Sequence, residues 1–282
     1  MIHNLKKVTS TRPRLLSKSF KTSQIQIFIA DSLTIFWGEW LDLRVRIPQL
    51  ATSGLISPLV YILAFGFGLG GSIKPGVGIS GDYKSYLEFI LPGMVALSSM
   101  TVSFVGTTFS ICGERLFTKS FEELLLVPVH PLALHIGKML AGVMRGLLTS
   151  LGVILVALLF TGNWRFLHPL FLLLLVLSCA VFSGLGVIVG LTVRSLEAVG
   201  LYNNFIIIPM SFLGGTFFDP NTLPAALKVV VYLLPLTYAT LGLRAAAYLP
   251  LSQFPWYSIP ILLVMAIALS LWGAYIFAHQ QD

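Results

Sequence analysis

The sequence predicts an all-α polytopic membrane protein with six transmembrane helices, and three observations lead there. Hydrophobic residues fill 56% of 282 positions, charged residues fill only 10%, and the mean hydropathy is +0.88, far from the balance of a soluble domain. The apolar residues come in blocks of about 20, long enough at about 1.5 Å rise per residue to cross about 30 Å of hydrocarbon as helices. The alternating segments of about 10 residues that a membrane β-barrel needs are not found.

In chain order, residues 1–24 form a basic tail with Lys6, Lys7, Arg12, Arg14, Lys18 and Lys21, expected to be disordered and cytoplasmic. It has no apolar core of the kind a cleavable secretory signal carries. Residues 25–47 mix Trp37 and Trp40 with Asp31, Glu39, Asp42, Arg44 and Arg46, which fits an interfacial amphipathic helix, or else a helix packed on the protein's own cytoplasmic surface. The first span is expected at 52–71, where Gly66, Gly68 and Gly70 suit close helix packing and have no preceding strand to make a dinucleotide loop. Further spans are expected at 87–111, 139–160, 167–191, 200–218 and 256–278, so that 25–282 forms one transmembrane domain. Thirteen of the 18 Lys and Arg residues then fall on the side of the N-terminus, which places both termini in the cytoplasm.

Phe205 to Arg244 is apolar yet broken by Pro209, Gly214, Gly215, Pro220, Pro224 and Pro235. Irregular backbone at membrane depth persists only where protein or a water-lined cavity shelters it. A seventh span at 223–242 would carry Lys228 and a central Pro235. A re-entrant pair of short helices over about 221–249, returning to the outer side, fits better.

Chemistry is mostly excluded. Hydrolase and metalloprotease motifs are absent, Cys112 and Cys179 form no metal or redox pattern, and His130, His135 and His168 sit singly near span ends as solvated interfacial residues. No catalytic, cofactor or metal residue emerges. The basic charge is topological, with no nucleic-acid-binding pattern beside it. No span carries a buried acid suited to ion coupling, and Gly137-Lys138 lacks the remainder of a phosphate loop. If ATP drives the chain, another subunit binds it.

Between spans two and three lie Glu114, Arg115, Glu122 and Glu123. A short helix there, with acids at its N-terminal end, could dock into a partner ATPase; a solvated loop explains the same charges. Glu114, Arg115, Glu122, Leu124, Leu125, Pro128 and Val129 resemble the loop after the second span in the ATP-binding cassette type-2 exporter permease family, with Lys119 in place of a glycine and Ser120 in place of a threonine. Leu91 to Met94, and Pro209, Phe212, Leu213, Gly215, Phe218, Pro220, Leu223, Pro224, Pro235, Leu236, Thr237 and Arg244, are similar to two further family patterns.

The resemblance implies the permease half of an exporter: six helices, an N-terminal interface helix, a coupling helix at 114–123, and an outer re-entrant gate. It also implies pairing of two copies above two ATPase subunits that hold the ATP and magnesium. The membrane would be a bacterial inner membrane or that of a plastid. Apolar walls on spans one, two and five suggest an amphiphilic substrate (a drug, a lipid or a lipid-linked saccharide) and suit a multidrug role. The alternatives are a partner-independent secondary carrier and a membrane-embedded lipid-modifying enzyme. The first would be expected to show an inverted repeat, and the second clustered acids or histidines; neither is found.

Overall fold

A computed structural model describes residues 15–64, 86–127 and 129–279, with the side chains of 15–24, 51, 53 and 125 left aside. Ten α-helices are described: α1 (Leu15–Tyr61), α2 (Tyr86–Gly113), α3 (Ser120–Leu126), α4 (Pro131–Thr161), α5 (Pro169–Thr192), α6 (Leu196–Tyr202), α7 (Ile208–Leu213), α8 (Ala225–Leu233), α9 (Pro235–Tyr248) and α10 (Ser258–Ala278). Among the described residues there is no strand. Among the described residues six helical stretches are long and apolar enough to cross a membrane: Ile25–Ala64, Tyr86–Thr118, Pro131–Thr161, Pro169–Thr192, Leu196–Leu213 and Ser258–Ala278. The fifth joins α6 and α7 through a π-helical turn, Asn203–Ile207. Gly66, Gly68, Gly70 and the end of the expected first span lie outside the described residues.

Local sequence accounts for three of the helix starts. Proline at a first helical position loses no bonded N–H and brings its φ already set. Pro131, Pro169 and Pro235 accordingly begin α4, α5 and α9. The residue before two of them completes the start: Nδ1 of His130 accepts from Leu132 N, and Nδ1 of His168 accepts from Leu170 N. These two histidines are helix caps.

α1 departs from the sequence reading. The expected interface helix at 25–47 and the beginning of the expected first span form one continuous helix, which also takes in residues 15–24 of the expected disordered tail. Pro48 and Pro58 lie within it, each removing a single N–H donor from a long ladder. The charges that argued against burial do not behave alike: Asp42 and Arg46 pair with each other on the exposed surface, whereas Glu39 turns inward against α4. A neutralised Glu39 lets the helix pack where a lone carboxylate would not.

The core lies where α2, α4 and α5 meet, with α9 and α10 closing it. Phe89, Met94, Met100, Phe104, Phe171, Leu174 and Phe182 are fully buried there. Between apolar helices in lipid the hydrophobic effect adds little, so close approach and interhelical hydrogen bonds carry the association. A Cβ on Gly142 or Gly146 would run into Thr107 and Ser183, or into Ser103 and Cys179, so this four-residue spacing lets α4 lie tight against α2 and α5. Hydroxyls join the same helices: Ser99 with Ser178 at 2.8 Å, Thr107 with Ser183 at 3.2 Å, and Thr108 donating to Gly186 O at 3.1 Å.

Candidate functional site

Three places combine irregular backbone, charge or open space. The first is the broken segment after α7. Gly214 caps α7 and donates to Met210 O, and Gly215 takes φ +75°, a left-handed conformation that favours glycine. The next carbonyls point away from any ladder, yet each has a donor. Thr240 Oγ1 donates to Gly214 O at 2.7 Å, Arg244 Nη2 to Gly215 O at 2.9 Å and Thr216 O at 3.4 Å, and Tyr86 OH to Phe217 O at 3.0 Å. Four consecutive carbonyls of non-helical backbone are thus satisfied by side chains of α2 and α9, which is what the low-dielectric setting demands.

Arg244 is the centre of this arrangement. It is 4% exposed, donates from Nε to Phe89 O at 3.1 Å, and lies 3.6 Å from the centroid of the Phe89 ring. Its cationic head is dispersed over carbonyl dipoles and an aromatic face. Gly93, in the Leu91–Met94 motif, completes the fit, because a Cβ there would come within 2.8 Å of Thr216 O.

The predicted gate residues serve as helix starts and turns. Pro209 stands in the first turn of α7, Pro220 begins a 3-10 turn at Pro220–Thr222, Pro224 caps α8, and Pro235 opens α9. The axes of α8 and α9 differ by 90° across Leu234. Among the described residues α8 buries only Val231, while α9 buries nine residues, Leu236, Thr237, Thr240, Leu243 and Arg244 among them.

The second place is the loop between α2 and α4. α2 widens into a π-helical turn, Glu114–Thr118, then Lys119 reverses the chain in the left-handed region at φ 56° and ψ 6° before α3. Glu114 and Arg115 face inward. Arg115 Nη1 donates to Gly190 O at 2.9 Å and Val193 O at 3.0 Å, placing a cation on the C-terminal carbonyls of α5. Glu114 accepts from Lys138 Nζ, which also donates to Glu39; Arg145 Nη2 reaches the other Glu39 oxygen at 2.6 Å and Ser110 Oγ at 3.1 Å. Side-chain exposures of 9% for Glu39, 6% for Lys138 and 7% for Arg145 mark this as an interior cluster joining α1, α2 and α4. Glu122 and Glu123 face outward, as do Phe117 at 68% and Leu126 at 86% exposure, while Phe121 is buried against Phe277 of α10.

The third place is a groove of about 370 Å³ between α1, α2 and the Asn203–Ser211 stretch. Leu50, Pro58 and Tyr61 line it from α1, Leu97 and Val105 from α2, and Ile207 from the π turn.

A family model described as ABC-2 type transporter matches residues 31–248. The chain belongs to that family. The inner membrane transport permease YadH of Escherichia coli K12 is 27% identical over 250 residues, covering 86% of this chain and 93% of that protein. Nodulation protein J of Rhizobium meliloti is 31% identical over 187 residues, 66% of this chain and 69% of that protein. The protein is therefore an integral, multi-pass permease of the ABC-2 transporter family.

Membership gives Lys119 its context. The family glycine expected there would suit a left-handed turn, and this chain makes that turn with a lysine. Two sequence expectations need correcting. Glu39, expected on an interfacial helix, is a buried acid within the candidate span Ile25–Ala64, paired with Lys138 and Arg145 and so not free for ion coupling. His135, expected to be solvated, is fully buried, with neither ring nitrogen bonded among the described residues, and its ring fills the space left by Gly273. The sequence signals that could have found this cluster were Lys138 and Arg145, seven residues apart inside an apolar helix, where unpaired charge is costly.

Proposed function

We propose that this ABC-2 permease is the membrane subunit of an ATP-driven exporter for amphiphilic molecules, working as two copies with two separate ATPase subunits in a bacterial inner membrane. The ATPase subunits hold the ATP and magnesium. The observation that carries the reading is the built asymmetry of the 114–126 loop. Its root is fastened inward by Glu114 and Arg115, and its tip offers Glu122, Glu123, Phe117 and Leu126 to a partner. A rigid root with a two-acid, apolar tip is suited to receive a push from a docked ATPase and deliver it to α1 and α4 through Lys138 and Glu39.

At the far end, the α8–α9 pair acts as a re-entrant outer gate, and Pro209, Gly214, Gly215, Pro220, Pro224 and Pro235 set its corners. The groove between α1, α2 and α6–α7 faces the path between the two copies. The secondary-carrier alternative requires an acid free to exchange its ion, and Glu39 is held between Lys138 and Arg145.

The test is ATPase stimulation and export in the assembled complex with Glu122→Ala and Glu123→Ala combined. A fall of at least about tenfold in coupled transport, with the subunits still associated, is expected for loss of interface contacts worth about 1.4 kcal/mol or more. Wild-type rates in an intact complex would remove the loop from the coupling path.

A further inference from the structure

The groove between α1, α2 and Asn203–Ser211 carries a pattern that the exporter reading does not specify. Among the described residues none that lines it is charged, and Arg145, beside Gly106, is occupied by Glu39. Its polar side chains among the described residues are all neutral: Ser57, Tyr61, Ser98, Thr101, Asn203 and Ser211. Of the four that make no side-chain hydrogen bond among the described residues, Ser57, Ser98, Thr101 and Asn203, Ser98 is the buried hydroxyl and Asn203 the carboxamide. Ser98 Oγ is buried, in a residue 3% exposed, and has no hydrogen-bond partner among the described residues. The Asn203 carboxamide likewise makes no hydrogen bond among the described residues, and it stands at the first residue of the π turn, where an extra residue in the helical turn presents the side chain to the groove. π turns inside helices concentrate at functional sites.

A desolvated net charge in this groove would find no free counter-charge among the described residues, while a neutral hydroxyl or amide would find donors and acceptors with empty partners. We infer that this groove binds the uncharged, hydroxyl-rich or amide-bearing head of an amphiphile, with Ser98 and Asn203 as its direct hydrogen-bond partners and the apolar α1 and α2 walls against its chain. The inference rests on the exporter reading for its setting but concerns binding alone. A volume of about 370 Å³ suits a head group or a small drug-sized molecule.

The test uses the full chain in nanodiscs of phosphatidylcholine and a diazirine-bearing decyl maltoside, with cross-links mapped by mass spectrometry. Decyl maltoside, decyl sulfate and decyltrimethylammonium, all below their micellar concentrations, serve as competitors. Saturable labelling within 97–106 or 203–211 is expected, displaced at least about tenfold better by the neutral head than by either charged one. Ser98→Ala and Asn203→Leu should each weaken it about fivefold, the loss typical of one hydrogen bond, and Ser98→Thr should retain it.

Equal competition by all three heads in the wild-type chain overturns the inference whatever the variants do. So does an absence of saturable labelling, including the case in which Ser57→Cys cross-links two chains and shows the groove filled by a second copy. The exporter reading is scored separately on the same preparation with the ATPase added. Charge-blind binding beside intact ATPase stimulation removes only the head-group assignment; a neutral-head preference with no stimulation removes only the exporter reading.

Discussion

At Lys119 a single side chain occupies a backbone conformation that costs an L-residue about 1–2 kcal/mol. Lys119→Gly removes that cost and adds chain entropy to the unfolded state, so the variant should be more stable by about 0.5–1 kcal/mol. Thermal unfolding in detergent would show it, and a destabilised Lys119→Gly would mean that the lysine head makes a compensating contact. Lys138 presents the opposite case. Lys138→Met strands Glu114 in the interior and leaves Glu39 with Arg145 as its cation, and should cost about 3–5 kcal/mol, whereas combining it with Glu114→Gln should recover part of the loss. Additive losses in that double variant would show that the two groups do not act as a pair. Arg244→Leu leaves the Phe89, Gly215 and Thr216 carbonyls without this donor, and a loss of about 3 kcal/mol or more is expected in the same assay.

At the scale of the element, prolines act mainly as starters. In α4, α5 and α9 proline opens the helix, and the apparent breaks in the 205–244 stretch resolve into a sequence of short helices with sheltered corners. The α8–α9 pair also yields a topological expectation. If it dips in and returns, single cysteines at Asn221 and Leu251 react with a membrane-impermeant maleimide from the same side, with His279→Cys reactive from the other. Opposite sidedness of Asn221 and Leu251 would make the pair a seventh crossing. Gly273 tests how tightly α10 is seated: Gly273→Ala pushes a methyl into the His135 ring and should cost about 1–3 kcal/mol, with His135→Ala restoring part of it.

At the scale of the whole molecule, the 114–126 loop and the Arg244 hub stand at opposite ends of α2, joined by one helix whose middle faces the groove. Displacement of the loop root can therefore reach the groove wall without crossing a flexible linker. Composition and helix-length blocks determined the membrane class, the number of spans and the place of the polar loop, because hydropathy and proline chemistry act over a few residues and can be read locally. Two of the family patterns fall on stretches where the described backbone leaves the regular helix, at Glu114–Lys119 and at Gly214–Leu223, and the departure at Lys119 lies where the chain turns left-handed. Which charges meet was decided only by the tertiary structure. Glu39 and Lys138 lie 99 residues apart, and Phe89 and Arg244 lie 155 apart. A single sequence carries no signal linking such pairs. The same distance effect joined the expected interface helix to the first span: the sequence supplied a charged Glu39, and only the packing of α4 against α1 neutralised it.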